Sequence, residues 1–133
     1  LVHVHPAVLA LTLRLKDAER IALVTDAMSG TGMPDGDHTL GGLPVTVTDG
    51  VARGANGALA GSTLTLERAV ANMMQATGQP LETILPMASR VPARVLGLPK
   101  GDIAAGLDAD LIVLGSEGQE DLTMVGGQVV WQR

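Results

Sequence analysis

The sequence predicts an α/β fold: a strand–helix layer followed by a small β region from about Gly101. Three observations predict it. The run Ile21-Ala22-Leu23-Val24-Thr25 is short, unbroken and apolar with β-branched members, the pattern of a strand buried on both faces. Helical apolar spacings lie on either side of it. From Leu111 onward the pattern changes to strands alone. Composition agrees, because 46% of the 133 residues are hydrophobic while there is no Phe, no Tyr and a single Trp, Trp131. Leu, Val, Ile, Ala and Met must then fill the core, which suits helix-on-sheet packing.

In chain order, Pro6 to Lys16 reads as a helix that starts on a proline, with Val8, Leu11 and Leu15 at helical spacing and Leu9 and Leu13 widening the apolar face. Asp17 to Arg20 is a polar connection into the buried strand, which ends at Asp26. Ala27 to His38, with Ser29-Gly30-Thr31-Gly32 and Asp35-Gly36-Asp37, is glycine-rich and reads as a mobile loop. Gly42 to Arg53 alternates Val45 and Val47 with Thr46 and Thr48, and Asp49-Gly50 signals a tight hairpin. Asn56-Gly57 marks another turn. Ser62 or Thr63 can cap a helix whose apolar positions are Leu66, Ala69, Val70, Met73 and Met74 and which Gly78 closes. Pro80 opens a second helix with Leu81, Ile84, Leu85 and Ala88 on one face, and Pro92 a short third one ending at Gly97. Leu111 to Leu114 is a strand, and Leu122 to Val125 with Gln128 to Gln132 form a hairpin around Gly126-Gly127.

Charge and residue usage exclude several function classes. The net charge is −5, from 9 Lys+Arg against 14 Asp+Glu. Without a basic stripe or aromatic platforms, nucleic acid is not an expected partner. No apolar run approaches the roughly 18 residues of a membrane helix, so no membrane association is expected. The absence of Cys excludes disulfides and thiolate metal sites, and cytoplasmic is the expected location. The chain opens at Leu1-Val2-His3 rather than Met, and it is expected to be a fragment of a longer polypeptide.

Asp26 is the leading chemical candidate. A carboxylate directly after a buried strand, followed by a glycine-rich loop, sits where parallel α/β folds place catalytic groups. There it can accept a proton from an activated water and return it to a leaving amine. An isolated Thr-Asp-Ala fits a helix cap or an Asx-turn better than a catalytic role. His3 and His5, two residues apart on an extended segment, would point to one face and suit a shared metal, but few further ligands lie near them. One His touching substrate or satisfied by a carbonyl fits as well, and His38 reads as a solvated loop residue. Leu59-Ala60-Gly61-Ser62 leads into a helix start whose free N–H groups suit an anion or a sugar oxygen, although such joins are common where nothing binds. Met73 and Met74 read as core. Arg90 and Arg94 read as surface partners of carboxylates.

The ordered pieces are more specific together. His3-Val4-His5-Pro6, Leu23-Val24-Thr25-Asp26-Ala27-Met28, Gly57-Ala58-Leu59-Ala60-Gly61-Ser62, Pro92 to Gly97 and Gly101 to Leu111 resemble the N-acetylglucosamine-6-phosphate deacetylases of the amidohydrolase superfamily across essentially the whole chain. The resemblance implies the C-terminal portion of a (β/α)8 barrel over residues 1–100 and part of a small β-sandwich over 101–133. It implies that Asp26 is the proton-transfer residue in hydrolysis of the acetamide of an amino-sugar phosphate. It also implies that His3, with Leu1 and Val2 leading into it, contacts the substrate, and that Leu59, Ala60 and Gly61 contribute backbone contacts, Ala60 standing where Ser is frequent. The divalent metal ion, zinc or iron, is expected to be held by residues absent from this chain, so no residue here is assigned as a ligand. The chain alone is then expected to be inactive, and the full-length protein to be a homodimer.

Two other readings compete. One is a different amidohydrolase acting on a cyclic amide or an N-acyl amino acid, since those share the Gly101-to-Asp110 pattern. The other is a non-catalytic β-rich interaction module built from Gly101 to Arg133.

Overall fold

A computed structural model describes residues 2–115 and 118–133. They form two compact units, Leu1–Ala88 with three α-helices and Ser89–Arg133 with one, each containing an antiparallel three-stranded sheet.

In the first unit, α1 spans Pro6–Lys16, the range its spacing predicts. Pro6 sits in the first turn, where a missing N–H costs nothing. Arg14 and Lys16 lie in the last turn, where a cation opposes the helix dipole. Asp17, at φ 58, ends the helix, and a 3-10 turn follows at Ala18–Arg20. The packing face differs from the expected one. Leu9 and Leu13 pack inward, whereas Val8, Leu11 and Leu15 are exposed. A helix apolar on more than one side has two faces to bury, and this unit supplies a partner for one of them.

The expected strand at Ile21–Thr25 is extended but forms no ladder among the described residues. Its inward positions, Ile21 and Leu23, pack against the helical core, and the Leu23 amide donates to the Met87 carbonyl at 2.8 Å. Val24 is 76% exposed, so the segment is not buried on both faces here.

The glycine-rich stretch becomes regular earlier than expected. Strand β1 runs Gly36–Leu40 and pairs antiparallel with β2, Leu43–Thr48, which pairs with β3, Val51–Gly54. His38 therefore lies in a strand, half-buried, with Nε2 3.1 Å from the Pro34 carbonyl, rather than solvated in a loop. Both hairpins use two-residue reversals with positive φ, Gly41-Gly42 and Asp49-Gly50, as the strand twist favours. Val45 and Val47 point inward with Ala52 and Met28 to form one small core, with Ala60 against it.

Helix α2 spans Leu66–Thr77 and α3 Leu81–Ala88. The cap of α2 is Thr65, not Ser62 or Thr63; its hydroxyl meets Glu67 Oε1 at 2.6 Å. Gly78, at φ 68, closes the helix as predicted and donates to the Met74 carbonyl. Val70, Met73, Ile84 and Met87 form the second core, joined by Leu9, Leu13, Ile21 and Leu23.

In the second unit, α4 covers Arg90–Leu96 and ends at Gly97, φ 67. It begins two residues before Pro92, which the first turn of a helix accommodates. Arg90 pairs with Asp102 at 3.4 Å. Strands β4 (Leu111–Leu114), β5 (Glu120–Val125) and β6 (Gln128–Gln132) form the antiparallel sheet, β5 and β6 joined at Gly126-Gly127 as expected.

A polar clasp fastens the loop before β4 to this turn. Lys100 Nζ lies 2.6 Å from Asp110 Oδ2 and 3.3 Å from Asp108 Oδ2, while Asp110 Oδ1 accepts the Gly126 amide at 2.8 Å. Hydrogen bonding from Lys100, then from Gly126, holds Asp110 below the ordinary carboxylate range. Hydrogen bonding to Asp110 and then Asp108 raises Lys100. A depressed carboxylate contributes stability above its unfolded value and loses it as pH falls through the folded one. A raised amine contributes below its unfolded value and loses that as pH rises through the folded one. The clasp is therefore at full strength between the ordinary carboxylate and lysine ranges. Asp110→Asn is expected to flatten the acid-side fall in melting temperature slightly, because solvent screens the pair. Melting curves of variant and parent through the acid range check this, and superimposable acid limbs would exclude a contribution from the clasp.

Candidate active site

The site is built where three backbone segments of the first unit meet. After β3 the chain turns at residues 55–57, and Leu59 bridges antiparallel to Arg53 while the Ala60 amide donates to the Ala52 carbonyl at 3.1 Å. Two residues later the same segment pairs on its other side. The Ser62 amide donates to the Asp26 carbonyl at 2.8 Å, and the Met28 amide donates to the Ser62 carbonyl at 2.9 Å, a parallel bridge between Ser62 and Ala27. Leu59 to Ser62 thus lies between the β-meander and the end of the Asp26 segment. It does not open a helix, because α2 starts at Leu66. The expectation of free helix-start amides at this segment is corrected accordingly: the Ala60 and Ser62 amides are taken up by carbonyls.

Asp26 is exposed and has φ 50. Asp17 and Asp49 also have positive φ, but one closes a helix and the other sits in a hairpin turn. Asp26 belongs to neither kind of reversal; a partner 36 positions along the chain holds its carbonyl. The local turn bond comes from its neighbour, Thr25 Oγ1, which accepts the Ala27 amide at 3.3 Å. Among the described residues the Asp26 carboxylate makes no hydrogen bond or ion pair, so the cap and Asx-turn readings are not what its side chain does. An exposed, unengaged carboxylate on a fixed backbone is available to take and return a proton.

The histidines behave differently from one another. The chain bends at His3 and Val4 rather than running extended, so His3 and His5 do not share a strand face. His5 caps α1, its Nδ1 accepting the Ala7 amide at 3.2 Å. His3 and Val2 are exposed, and no hydrogen bond joins His3 to Asp26 or to Leu59–Gly61 among the described residues. Leu1 lies outside the described residues. No group of three His, Asp or Glu side chains gathers among the described residues, so these residues by themselves do not fit a metal ion. A surface cleft of about 340 Å³ is lined by Ala10, Leu13, Arg14 and Thr83 among others, and none of the predicted site residues borders it. No helix is long and apolar enough to cross a membrane among the described residues.

The sequence offers Ser62 as a helix cap and as the end of the Leu59–Ser62 segment, not as a partner of Asp26. Its actual partners, Thr25 and Asp26, are distant in the chain, and the Gly61-Ser62 pair carries no local mark of them.

Residues 3–130 match the amidohydrolase family. The chain belongs to that family. This amidohydrolase is 44% identical over 114 residues to the N-acetylglucosamine-6-phosphate deacetylase of Lysinibacillus sphaericus, covering 85% of this chain and 30% of the relative. It is 43% identical over 129 residues to a putative N-acetylgalactosamine-6-phosphate deacetylase of Escherichia coli K12, covering 96% of this chain and 77% of that protein. Among solved structures, N-acetylglucosamine-6-phosphate deacetylase from Thermotoga maritima superposes with a TM-score of 0.93 at 39% identity, over 99% of this chain and 37% of that one. The amidohydrolase chain thus spans about a third of the length of most of these relatives. Amidohydrolases generally use a divalent metal ion.

Proposed function

We propose that this chain is the C-terminal part of a deacetylase acting on N-acetylated amino-sugar 6-phosphates, with N-acetylglucosamine 6-phosphate as its substrate, and that it carries the proton-transfer group. Residues 1–100 would then supply the last strands and helices of a (β/α)8 barrel and residues 101–133 part of a small β-sandwich. The outward apolar positions Val8, Leu11, Leu15 and Val24 support this, since a larger fold gives them cover.

The observation that carries the reading is the unengaged Asp26 carboxylate on a backbone fixed by Ser62, in a chain so similar to named deacetylases. Asp26 takes a proton from the water that adds to the acetyl carbon. The C–N bond then breaks as the same proton passes to the sugar nitrogen, leaving acetate and a free amine. A divalent metal ion would be held by residues outside this chain, and His3 with the Leu59–Gly61 backbone would contact the sugar phosphate. The complete enzyme would be a cytoplasmic homodimer.

Acetate release by the complete enzyme, assayed with N-acetylglucosamine 6-phosphate, its galactosamine epimer and both sugars without phosphate, tests the reading. The expected order is the glucosamine phosphate first, with weak turnover of the unphosphorylated sugars. The E. coli relative favours including the epimer. Hydrolysis of cyclic amides with no acetate from any sugar would transfer the chain to another amidohydrolase activity.

A further inference from the structure

We propose that Ser62 is a positioning residue for Asp26, a role that rests on the deacetylase reading and deepens it. Five bonds converge on this serine, which is 8% exposed. Its amide holds the Asp26 carbonyl at 2.8 Å, and its carbonyl takes the Met28 amide at 2.9 Å and the Thr31 hydroxyl at 3.1 Å. Its hydroxyl donates to the Thr25 carbonyl and accepts the Leu64 amide at 3.0 Å. The carbonyls before and at the left-handed residue are thus both bound by one residue, and the amide two positions on is bound by the same one. A non-glycine residue at positive φ is disfavoured on its own and persists where surrounding contacts over-determine it.

Gly61 completes the device. At φ 65, a Cβ there would lie 3.2 Å from the Asp26 carbonyl oxygen and 3.3 Å from Met28 Cβ. A side chain there would push these neighbours back by a few tenths of an ångström, and the positive φ itself favours glycine. Replacing the Ser62 hydroxyl with hydrogen frees the Thr25 carbonyl and lets the Thr25–Asp26 peptide rotate, swinging the carboxylate. Small misplacements of a proton-transfer group cost rate rather than substrate affinity.

The test uses the complete enzyme with N-acetylglucosamine 6-phosphate. Ser62→Ala is expected to lower kcat by roughly tenfold to a hundredfold while KM stays within about twofold, and Ser62→Thr to recover most of the loss. Thr63→Ala, which removes a hydroxyl bond to the Gly50 carbonyl one residue away, is expected to leave kcat unchanged. Equal kcat loss in Thr63→Ala, a loss confined to KM, or loss of the folded protein in Ser62→Ala without recovery in Ser62→Thr would each overturn the positioning role. Asp26→Asn separates the two ideas. If it stays active, the parent reading fails; if it is inactive while Ser62→Ala retains full kcat, only the positioning role fails.

Discussion

Asp26→Asn in the complete enzyme is expected to lower kcat by roughly two to four powers of ten, the range for removing a general acid–base group. The substitution suits this backbone. Asn matches Asp in shape and tolerates the left-handed region, so φ 50 can be kept. The carbonyl of residue 26 still accepts the Ser62 amide whatever the side chain. With the carboxylate free of hydrogen bonds and ion pairs among the described residues, its loss leaves no partner orphaned. The melting temperature should therefore hold while turnover collapses. Asp26→Ala adds a strained backbone to the same chemical loss, costing about 1–2 kcal/mol of stability. Turnover within tenfold of the parent in Asp26→Asn would remove this residue from the proton-transfer role.

What could be seen in the sequence follows the range of the interactions concerned. Helix α1 was legible to its ends because Pro6 and Asp17 are local signals, and the end of α2 was legible because Gly78 supplies the left-handed closure. The start of α2 was not. Ser62 has the chemistry of a cap, but its hydroxyl is committed to Thr25, a tertiary contact that no short window contains. Strand β1 was hidden for a different reason: Gly-Asp-His-Thr-Leu has no apolar alternation and is drawn into the sheet by β2. The apolar run before Asp26 was recognised as extended, yet burial on both faces depends on neighbours that this chain does not provide for Val24. Asp26 and the Leu59–Ser62 segment could be picked out one by one, and the Ser62 amide of that segment bonds the Asp26 carbonyl. Neither the left-handed backbone of Asp26 nor its grip by Ser62 has a local mark.

Gly101→Ala is expected to destabilise the second unit far more than Gly106→Ala, although both glycines have φ 90 and both belong to the segment that leads into β4. At Gly106 a Cβ meets nothing within 4 Å, so alanine brings only the backbone penalty of a disfavoured φ, about 1–3 kcal/mol. At Gly101 the same Cβ would lie 2.8 Å from the Ser89 carbonyl oxygen and 2.9 Å from both Arg90 Cα and Ala93 Cβ. Those atoms form the first turn of α4, and Ala93 is buried, so none can swing aside as the tip of a long side chain would. Either α4 shifts or the 98–102 connection does, and overpacking of this kind adds roughly 1–3 kcal/mol to the conformational penalty. A shift there also disturbs Lys100, the neighbouring residue in the clasp with Asp108 and Asp110. Hydrogen exchange of the β4–β6 amides measures the difference within the unit concerned: protection should fall sharply in Gly101→Ala and modestly in Gly106→Ala. Equal losses in the two variants would mean that φ alone requires glycine at both positions and that the close approach to α4 contributes nothing.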